Sequence, residues 1–307
     1  MAPLAADGRS VGYTVVQWTS VGAQDMSILV SSATILTQMV VSHIVRGRLS
    51  EIVRSQLVKS CLLELVAAAE MCATSTELSR VARNCGMPAY SVYLFLIILC
   101  RDRTWGSSVT ACPYSLLEEY VEVGANPLHV ALKVVAQLAG GLASIKWAKH
   151  LWMTEVAEAQ GSLRVDDCLA ALQVPVAVGF LLESLLTCSC RLFSRALGEV
   201  KPKFASAIDS FFATCMVLVA FNYSGGYFNP VLATSMKWSC RGHTNTEHII
   251  VYWAGSTMGA MLSVRLWSLV TVKRALVGPF TSKDKRVTFQ KLSTAIYPNG
   301  RILAKNY

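Results

Sequence analysis

The sequence predicts an all-α membrane protein, and three observations support this class. Of the 307 residues, 53% are apolar and only 15% are charged, whereas ordinary soluble domains carry about 25% charged residues. The apolar residues occur in runs of about 20, the length that crosses a bilayer, rather than in short periodic stripes. The mean hydropathy of the chain is +0.44. The same figures exclude a disordered chain and a nucleic-acid-binding domain.

Seven apolar runs are candidate membrane spans. They lie at about 26–45, 57–73, 87–100, 128–147, 169–193, 204–221 and 249–269. Two shorter apolar segments, 112–123 and 229–239, each have a Pro as their second residue and are too short to cross a hydrocarbon core of about 30 Å. We therefore expect each of them to be a re-entrant half-helix, which enters the membrane and returns to the same side.

The order of these segments indicates two repeats. After the first run, the series span, span, short segment, span occurs twice, and one carboxylate, Glu64 or Glu183, lies within the first run of each series. An acidic residue costs roughly 2.5 to 3.5 kcal/mol at the centre of a spanning helix, so its presence at matched positions indicates a shared structural role. Three spans per repeat is an odd number, and the two repeats are therefore inverted relative to each other. The short segments then enter from opposite faces and meet near the midplane.

Clusters of Lys and Arg predict the orientation. The positive-inside rule makes the basic segments before the first repeat, after its second span and before the sixth run cytoplasmic. The segment 273–307 is also cytoplasmic by this rule, since it has eight Lys or Arg residues against Asp284 alone. The predicted organisation is an N-terminal tail (1–25), an extra apolar helix (26–46), a repeat domain (57–272) and this basic tail. The extra helix either spans the bilayer or lies in its interface.

The ten Cys residues show no CxxC pair and no Cys/His ligand spacing, so we expect neither a zinc site nor a disulfide scaffold. The sequence also has no pattern that would form a nucleophile and base pair or a phosphate loop. We therefore expect no enzymatic activity, no metal, no cofactor and no nucleic-acid partner.

The second short segment has a strong helix start, with Asn229 at the N-cap and Pro230 at the first helical position. A helix start at bilayer depth exposes unpaired N–H groups and about half a positive charge, and it needs a polar cavity. The residues around it, Ala-Phe-Asn-Tyr-Ser-Gly-Gly-Tyr-Phe-Asn-Pro at 220–230, and the segment 251–260 resemble the second Asn-Pro-Ala loop and the sixth helix of aquaporins.

This resemblance covers about 57–267 and includes the pair Glu64 and Glu183. Three further segments are similar to the unorthodox superaquaporin branch, above all to invertebrate aquaporin-12-like proteins. They are Phe-Asn-Pro-Val-Leu-Ala, Cys-Arg-Gly-His-Thr and Glu-His-Ile-Ile-Val-Tyr-Trp. The resemblance implies the aquaporin fold, in which Glu64 and Glu183 are buried acceptors for the loop backbones.

The first pore box has two candidates. Asn126 and Pro127 match by residue type, but this choice would use 128–137 as the half-helix and place four ionisable residues in the third span. The segment at 112–114 has the right spacing from Glu64. We therefore expect the boxes to be Cys112-Pro113-Tyr114 and Asn229-Pro230-Val231. Because a thiol is a weaker hydrogen-bonding group than a carboxamide, only Asn229 is expected to donate strongly to water.

The resemblance also implies which residues form the selectivity filter. The pore arginine of the family lies three residues after the second-box Asn, where this chain has Leu232. The His of water-selective members lies twelve residues before that Asn, where this chain has Val217. Tyr227 occupies a loop position whose backbone lines the filter in relatives, and the partner on the second span is Val92 or Tyr93.

The implied function is a membrane channel for passive transport of water and small neutral solutes, with glycerol and hydrogen peroxide as candidates. The family resemblance implies a homotetramer in the lipid bilayer, with a pore in each protomer. The superaquaporin branch implies a multi-pass protein of an intracellular membrane, the endoplasmic reticulum, with the plasma membrane as the alternative. The competing hypothesis is a non-conducting aquaporin-like protein with a structural or regulatory role.

Overall fold

The computed structural model describes residues 10–106, 109–152 and 168–280. These residues are helical and contain no β-strand, only one isolated bridge between Leu169 and Arg241. The helices are α1 (Ser10–Ile52), α2 (Gln56–Thr104), α3 (Pro113–Val123), α4 (Pro127–Trp152), α5 (Val176–Val200), α6 (Ala205–Ala220), α7 (Pro230–Lys237), α8 (Asn245–Trp267) and α9 (Val270–Val277). The middle of α8, Ile249–Gly255, is π-helical, and a 3₁₀ turn at Gly278–Phe280 follows α9.

Within the described residues, four helical segments are long and apolar enough to cross a bilayer. They are Ile28–Ile52, Pro127–Ala148, Val176–Val200 and Asn245–Trp267. The other three runs that the sequence suggested as spans lie in α2 and α6. In α2, charged residues lie within the first apolar run and directly after the second, and α6 has only 16 residues. The structure is that of a multi-pass helical membrane protein.

The long helix α2 contains two helical arms that meet at Gly86. Gly86 has φ 80° and ψ 177°, a conformation open to glycine because it has no Cβ. Arg101 on the second arm hydrogen-bonds to the carbonyl of Met71 and the hydroxyl of Thr74 on the first. The arms therefore lie side by side, and the second and third apolar runs form a hairpin.

Helix α1 packs along this hairpin. Ile35 is buried with Leu78, Tyr90 and Leu94 of α2. Further along α1, Arg46 forms a buried ion pair with Glu70. Removing one partner of such a pair would leave an uncompensated buried charge, so the pair fixes the register of α1 on α2.

Three segments differ from the sequence-based boundaries. Helix α1 begins at Ser10, before the expected extra helix at 26–46. Helix α5 begins at Val176 rather than near 169, because Pro175 occupies its N-cap and the preceding residues form a loop. The predicted basic tail is described only to residue 280, and residues 281–307 lie outside the described residues.

The loop before α5 is tied to the loop after α7. A disulfide joins Cys168 to Cys240, and backbone hydrogen bonds join Ala170 to Arg241 and Arg241 to Cys168. This pair corrects the expectation, drawn from cysteine spacing, that the chain has no disulfide scaffold. The signal was weak because the two residues are 72 positions apart in the chain.

Candidate functional site

The short helices α3 and α7 begin in the same way. Cys112 and Asn229 are their N-caps, and a Pro follows each cap. The residues before the caps, Ala111 and Phe228, have positive φ values of 48° and 46°. Positive φ is uncommon for residues other than Gly and requires support from the surrounding structure.

That support comes from two fully buried carboxylates. Glu64 accepts hydrogen bonds from the backbone N–H groups of Thr110, at 3.0 Å, and Ala111, at 2.7 Å. It also accepts one from the Gln137 amide at 2.8 Å. Each carboxylate oxygen is therefore engaged, and the loop before α3 is held in place from its backbone.

Glu183 makes the corresponding contacts in the other half. It accepts hydrogen bonds from the backbone N–H groups of Tyr227, at 3.3 Å, and Phe228, at 2.8 Å, and from the Ser224 hydroxyl at 2.7 Å. In each loop, a carboxylate therefore accepts hydrogen bonds from the backbone N–H groups of the two residues that precede the helix cap.

Asn229 connects the two helix starts. Its side-chain oxygen accepts from the backbone N–H groups of Val231, at 3.0 Å, and Leu232, at 3.3 Å, and its amide nitrogen donates to the Ala111 carbonyl at 2.9 Å. The same nitrogen contacts the Met71 sulfur at 3.3 Å. Both amide hydrogens thus have acceptors. A permeant that accepts a hydrogen bond from this nitrogen therefore displaces one of these two acceptors, of which the sulfur is the weaker.

Two glycines bring the flanking helices close to these carboxylates. A Cβ on Gly140 of α4 would lie 2.0 Å from the carbonyl oxygen of Leu65, and one on Gly259 of α8 would lie 2.1 Å from that of Ser184. Each of these carbonyls belongs to the residue after the buried Glu. Backbone contact at these points positions α4 and α8 against the two sites.

The far end of α3 is anchored by charge. Arg191 of α5 forms a two-point hydrogen-bonded ion pair with Glu118, and Arg195 pairs with Glu122 at 2.7 Å. The Arg191 guanidinium also lies over the ring of Tyr114, 5.9 Å from its centroid. Sequence reasoning used these arginines only for orientation and missed their contact with the first box.

The three filter candidates lie against three different apolar clusters. Val217 packs on the cluster around Leu78, and Leu232 packs on the cluster around Met71. Tyr227 packs on a third cluster, with its ring 5.5 Å from that of Tyr252. The side chains are therefore not in one cluster, although the Gly226 backbone approaches that of Val217 so closely that a Cβ would lie 2.8 Å from the Val217 carbonyl oxygen.

The two second-span candidates have different surroundings. Val92 is 57% exposed, and the Tyr93 hydroxyl is hydrogen-bonded to Ser32 of α1. Tyr90, one turn before Tyr93, is buried, packs edge-on against Phe221 and belongs to the cluster on which Val217 packs. The Gly86 kink sets which face of the second arm of α2 points into the protein. Hydropathy along the chain does not predict this rotation of the arm.

A histidine pair contacts the far side of α7. Thr234 accepts a hydrogen bond from the Trp253 indole at 2.9 Å, so its own hydroxyl hydrogen is free to bond His248 Nε2 at 3.2 Å. His248 Nδ1 in turn lies 3.1 Å from His243 Nε2. Burial lowers the pKa of His243, with Glu247 opposing this shift and Lys237 adding to it. Both histidines lie in the segments that resemble superaquaporins, but nothing in the local sequence predicts that they pair.

Taken together, apolar helices, paired short helices that begin face to face and a buried carboxylate beneath each start define a multi-pass helical membrane protein. No family model matches the chain. The chain is 25% identical over 240 residues, 78% of its length, to aquaporin-11 of Milnesium tardigradum, of which it covers 87%.

Two further relatives carry a related name. The chain is 29% identical over 203 residues to putative aquaporin-12B of Homo sapiens, with 66% of this chain and 68% of that protein covered. It is 29% identical over 192 residues to aquaporin-12 of Mus musculus, with 62% and 66% covered. The chain is thus homologous to proteins named aquaporin-11 and aquaporin-12, and the predicted resemblance to superaquaporins is confirmed. The homologues support a membrane-channel function rather than an enzymatic one.

Proposed function

We propose that the chain is a channel for passive transport of water and small neutral solutes, built from two inverted repeats with one pore in each protomer. The observation that carries the proposal is the hydrogen bond from Asn229 to the Ala111 carbonyl, which joins the starts of α3 and α7. Both helices then direct their positive N-terminal ends at one point, and two such ends oppose the passage of cations and protons.

The residues at the proposed filter favour the passage of small neutral solutes as well as water. An arginine in a constriction narrows it and supplies hydrogen-bond donors, and Leu232 and Val217 do neither. We propose that Tyr90 is the second-span partner of Tyr227 in this filter. Such a filter is less polar than that of a water-selective channel and admits glycerol or hydrogen peroxide.

Stopped-flow swelling of proteoliposomes tests conduction. Vesicles with the protein should take up water, glycerol and hydrogen peroxide faster than empty vesicles. Leu232→Trp should block this flux, whereas Leu29→Trp, at an exposed position of α1, should not. Permeability equal to that of empty vesicles for every solute would contradict the proposal.

The second candidate function is a non-conducting protein with a structural or regulatory role. The observation that favours it is the engaged state of Asn229, whose amide hydrogens both have protein acceptors. The two functions differ in the swelling assay, because a non-conducting protein gives no flux that Leu232→Trp could remove.

We also propose a homotetramer in the endoplasmic reticulum, with α1 as an additional membrane helix. The disulfide supports the proposed orientation, because disulfides persist in oxidising compartments and both of its loops then lie on the non-cytoplasmic side. Light scattering of the purified protein should give four chains. Surface biotinylation of most of the expressed protein would contradict the intracellular location.

A further inference from the structure

A cavity of about 270 Å³ lies between α1, α2 and α4, away from the two pore boxes. The residues that matter for its chemistry come from all three helices: Gln38, Val41, Glu70, Ala73, Ala143 and Trp147. Because one wall is α1, this cavity exists only where the N-terminal helix packs on the repeat domain.

Gln38 brings a buried amide to the cavity. Both its oxygen and its nitrogen are buried, and neither has a hydrogen-bond partner among the residues that the structure describes. Burial of an amide without hydrogen bonds is unfavourable, and in a membrane no bulk water compensates for it. A ligand with a hydroxyl or ester group could accept from the nitrogen or donate to the oxygen.

The negative charge of Glu70, on the α2 side of the cavity, is already compensated. The Glu70 carboxylate forms the buried ion pair with Arg46 and accepts a hydrogen bond from the Trp105 indole at 3.1 Å. A second ionised group beside it would have to be desolvated without a counter-ion. The ligand of this cavity is therefore uncharged.

The cavity is reached from the side of the protein. Val41 is 52% exposed and Trp147 is 57% exposed on the outer surfaces of α1 and α4, and both helices are long and apolar enough to span a membrane. The outer surface of such helices faces lipid, so the ligand enters from the bilayer. A cavity of about 150 Å³ holds benzene, which has six carbons, so a cavity of about 270 Å³ takes roughly ten non-hydrogen atoms, enough for the oxygen-bearing end and the first few carbons of an alkyl chain. The rest of the chain lies against the exposed surfaces of α1 and α4.

We propose that this cavity binds an uncharged single-chain lipid, of the monoacylglycerol class, with its oxygen-bearing end at Gln38 and its alkyl chain along Ala143 and Trp147. The site does not depend on conduction through the pore. Under this proposal, α1 binds lipid as well as packing on α2.

Fluorescence quenching of the purified full chain tests the proposal. The probe is a monoacylglycerol with a ten-carbon chain brominated at its end, which quenches a tryptophan in contact with it. We expect saturable quenching that disappears in Trp147→Phe. Gln38→Leu, which keeps the shape but removes the amide, should raise the midpoint about tenfold, as expected for the loss of one buried hydrogen bond.

Two variants on α4 provide the matched comparison. Ala143→Phe fills the cavity and should abolish saturable quenching, whereas Val135→Phe, at an exposed position of the same helix, should leave it unchanged. Unbrominated monoacylglycerol should compete, and decanoate, which is charged, should not. An unchanged midpoint in both Gln38→Leu and Ala143→Phe, or equal competition by decanoate or by a sterol, would overturn the proposal. Because binding is read without any flux, loss of channel activity and loss of this site are distinguishable.

Discussion

Asn229 has the largest share of the chemistry of any single residue at the site. It caps α7 through its oxygen and reaches the loop before α3 through its nitrogen, while Cys112, its counterpart, makes no side-chain cap hydrogen bond. Asn229 therefore hydrogen-bonds both half-helix starts, and the apolar contact of Ala111 and Val231 in one buried cluster adds to this connection. Substitutions at this residue and at its neighbour Leu232 test the site most directly.

Leu232→Arg should reduce glycerol flux more than water flux. The guanidinium narrows the constriction and adds donors, and it favours a small hydrogen-bonding permeant over a larger one. Stopped-flow swelling with both solutes measures the ratio, with Leu232→Met as the volume-conserving control. Equal glycerol flux in the wild type and in Leu232→Arg would place the constriction elsewhere, with Tyr114 as the next residue to vary.

Asn229→Asp should weaken the barrier to cations. The carboxylate adds a negative charge between two positive helix ends and loses the donor that bonds the Ala111 carbonyl. We expect no ionic current in the wild type and a measurable sodium flux in the variant, recorded in planar bilayers. Asn229→Leu removes this donor, together with the cap hydrogen bonds to Val231 and Leu232, without adding charge and should not conduct sodium. An absence of sodium flux in the Asp variant would show that the helix ends do not set the barrier.

The residue scale also shows what a sequence can and cannot predict. The starts of α3, α4 and α7 could be predicted because a Pro at the first helical position has a fixed φ and needs no N–H partner. The buried position of Tyr90 could not be predicted, because the Gly86 kink sets which face of the second arm points inward. The Met71 contact that engages Asn229 also depends on tertiary packing rather than on any local pattern.

At the scale of elements, the two short helices make different contacts beyond their starts. The start of α3 is held by Glu64 and its end by Arg191 and Arg195, whereas the far side of α7 contacts the histidine pair. The long helices are held by backbone contact at glycines. From these contacts we predict how a glycine substitution and a change of pH affect the stability of the fold.

Gly259→Ala should destabilise the protein by about 1 to 3 kcal/mol, because the added Cβ meets a backbone oxygen that cannot move alone. Gly198→Ala is the matched control in α5. A Cβ there meets nothing within 4 Å, and the change should stabilise the helix by about 0.5 to 1 kcal/mol. Thermal unfolding in detergent measures both. Equal midpoints for the two variants would show that α8 is not held at Gly259.

Acidification should destabilise the loop after α7 through His243. Its pKa is lowered mainly by burial, so the unfolded chain binds a proton more readily than the folded one. The stability due to neutral His243 is present above the ordinary pKa of 6.5 and is lost as pH falls from there toward the lower folded-state value. The unfolding midpoint should drop more between about pH 7.5 and 5.5 in the wild type than in His243→Gln. The same drop in both proteins would place the pH-sensitive group elsewhere.

At the scale of the whole molecule, the order of segments could be predicted but several boundaries could not. Hydropathy continues through residues 169–175, so the start of α5 was placed too early. The actual start at Val176 follows from Pro175 and from the attachment of this loop to Arg241 and Cys240. Cysteine spacing along the chain gives no sign of a pair that is brought together only when α5, α6 and α7 have packed.

The disulfide provides a test of the orientation of the entire chain. If the loops at Cys168 and Cys240 face an oxidising lumen, the pair forms in cells, whereas Cys100 at the opposite end of the second arm stays reduced. Free thiols are first blocked with N-ethylmaleimide in denatured cell extract, and the protein is then reduced and labelled with maleimide-polyethylene glycol. We expect two labels on the wild type and none on the double variant Cys168→Ser, Cys240→Ser, while Cys100→Ser should still carry two. A wild-type chain without labels would mean that both loops face the reducing cytoplasm, and the proposed orientation of every helix would then be reversed.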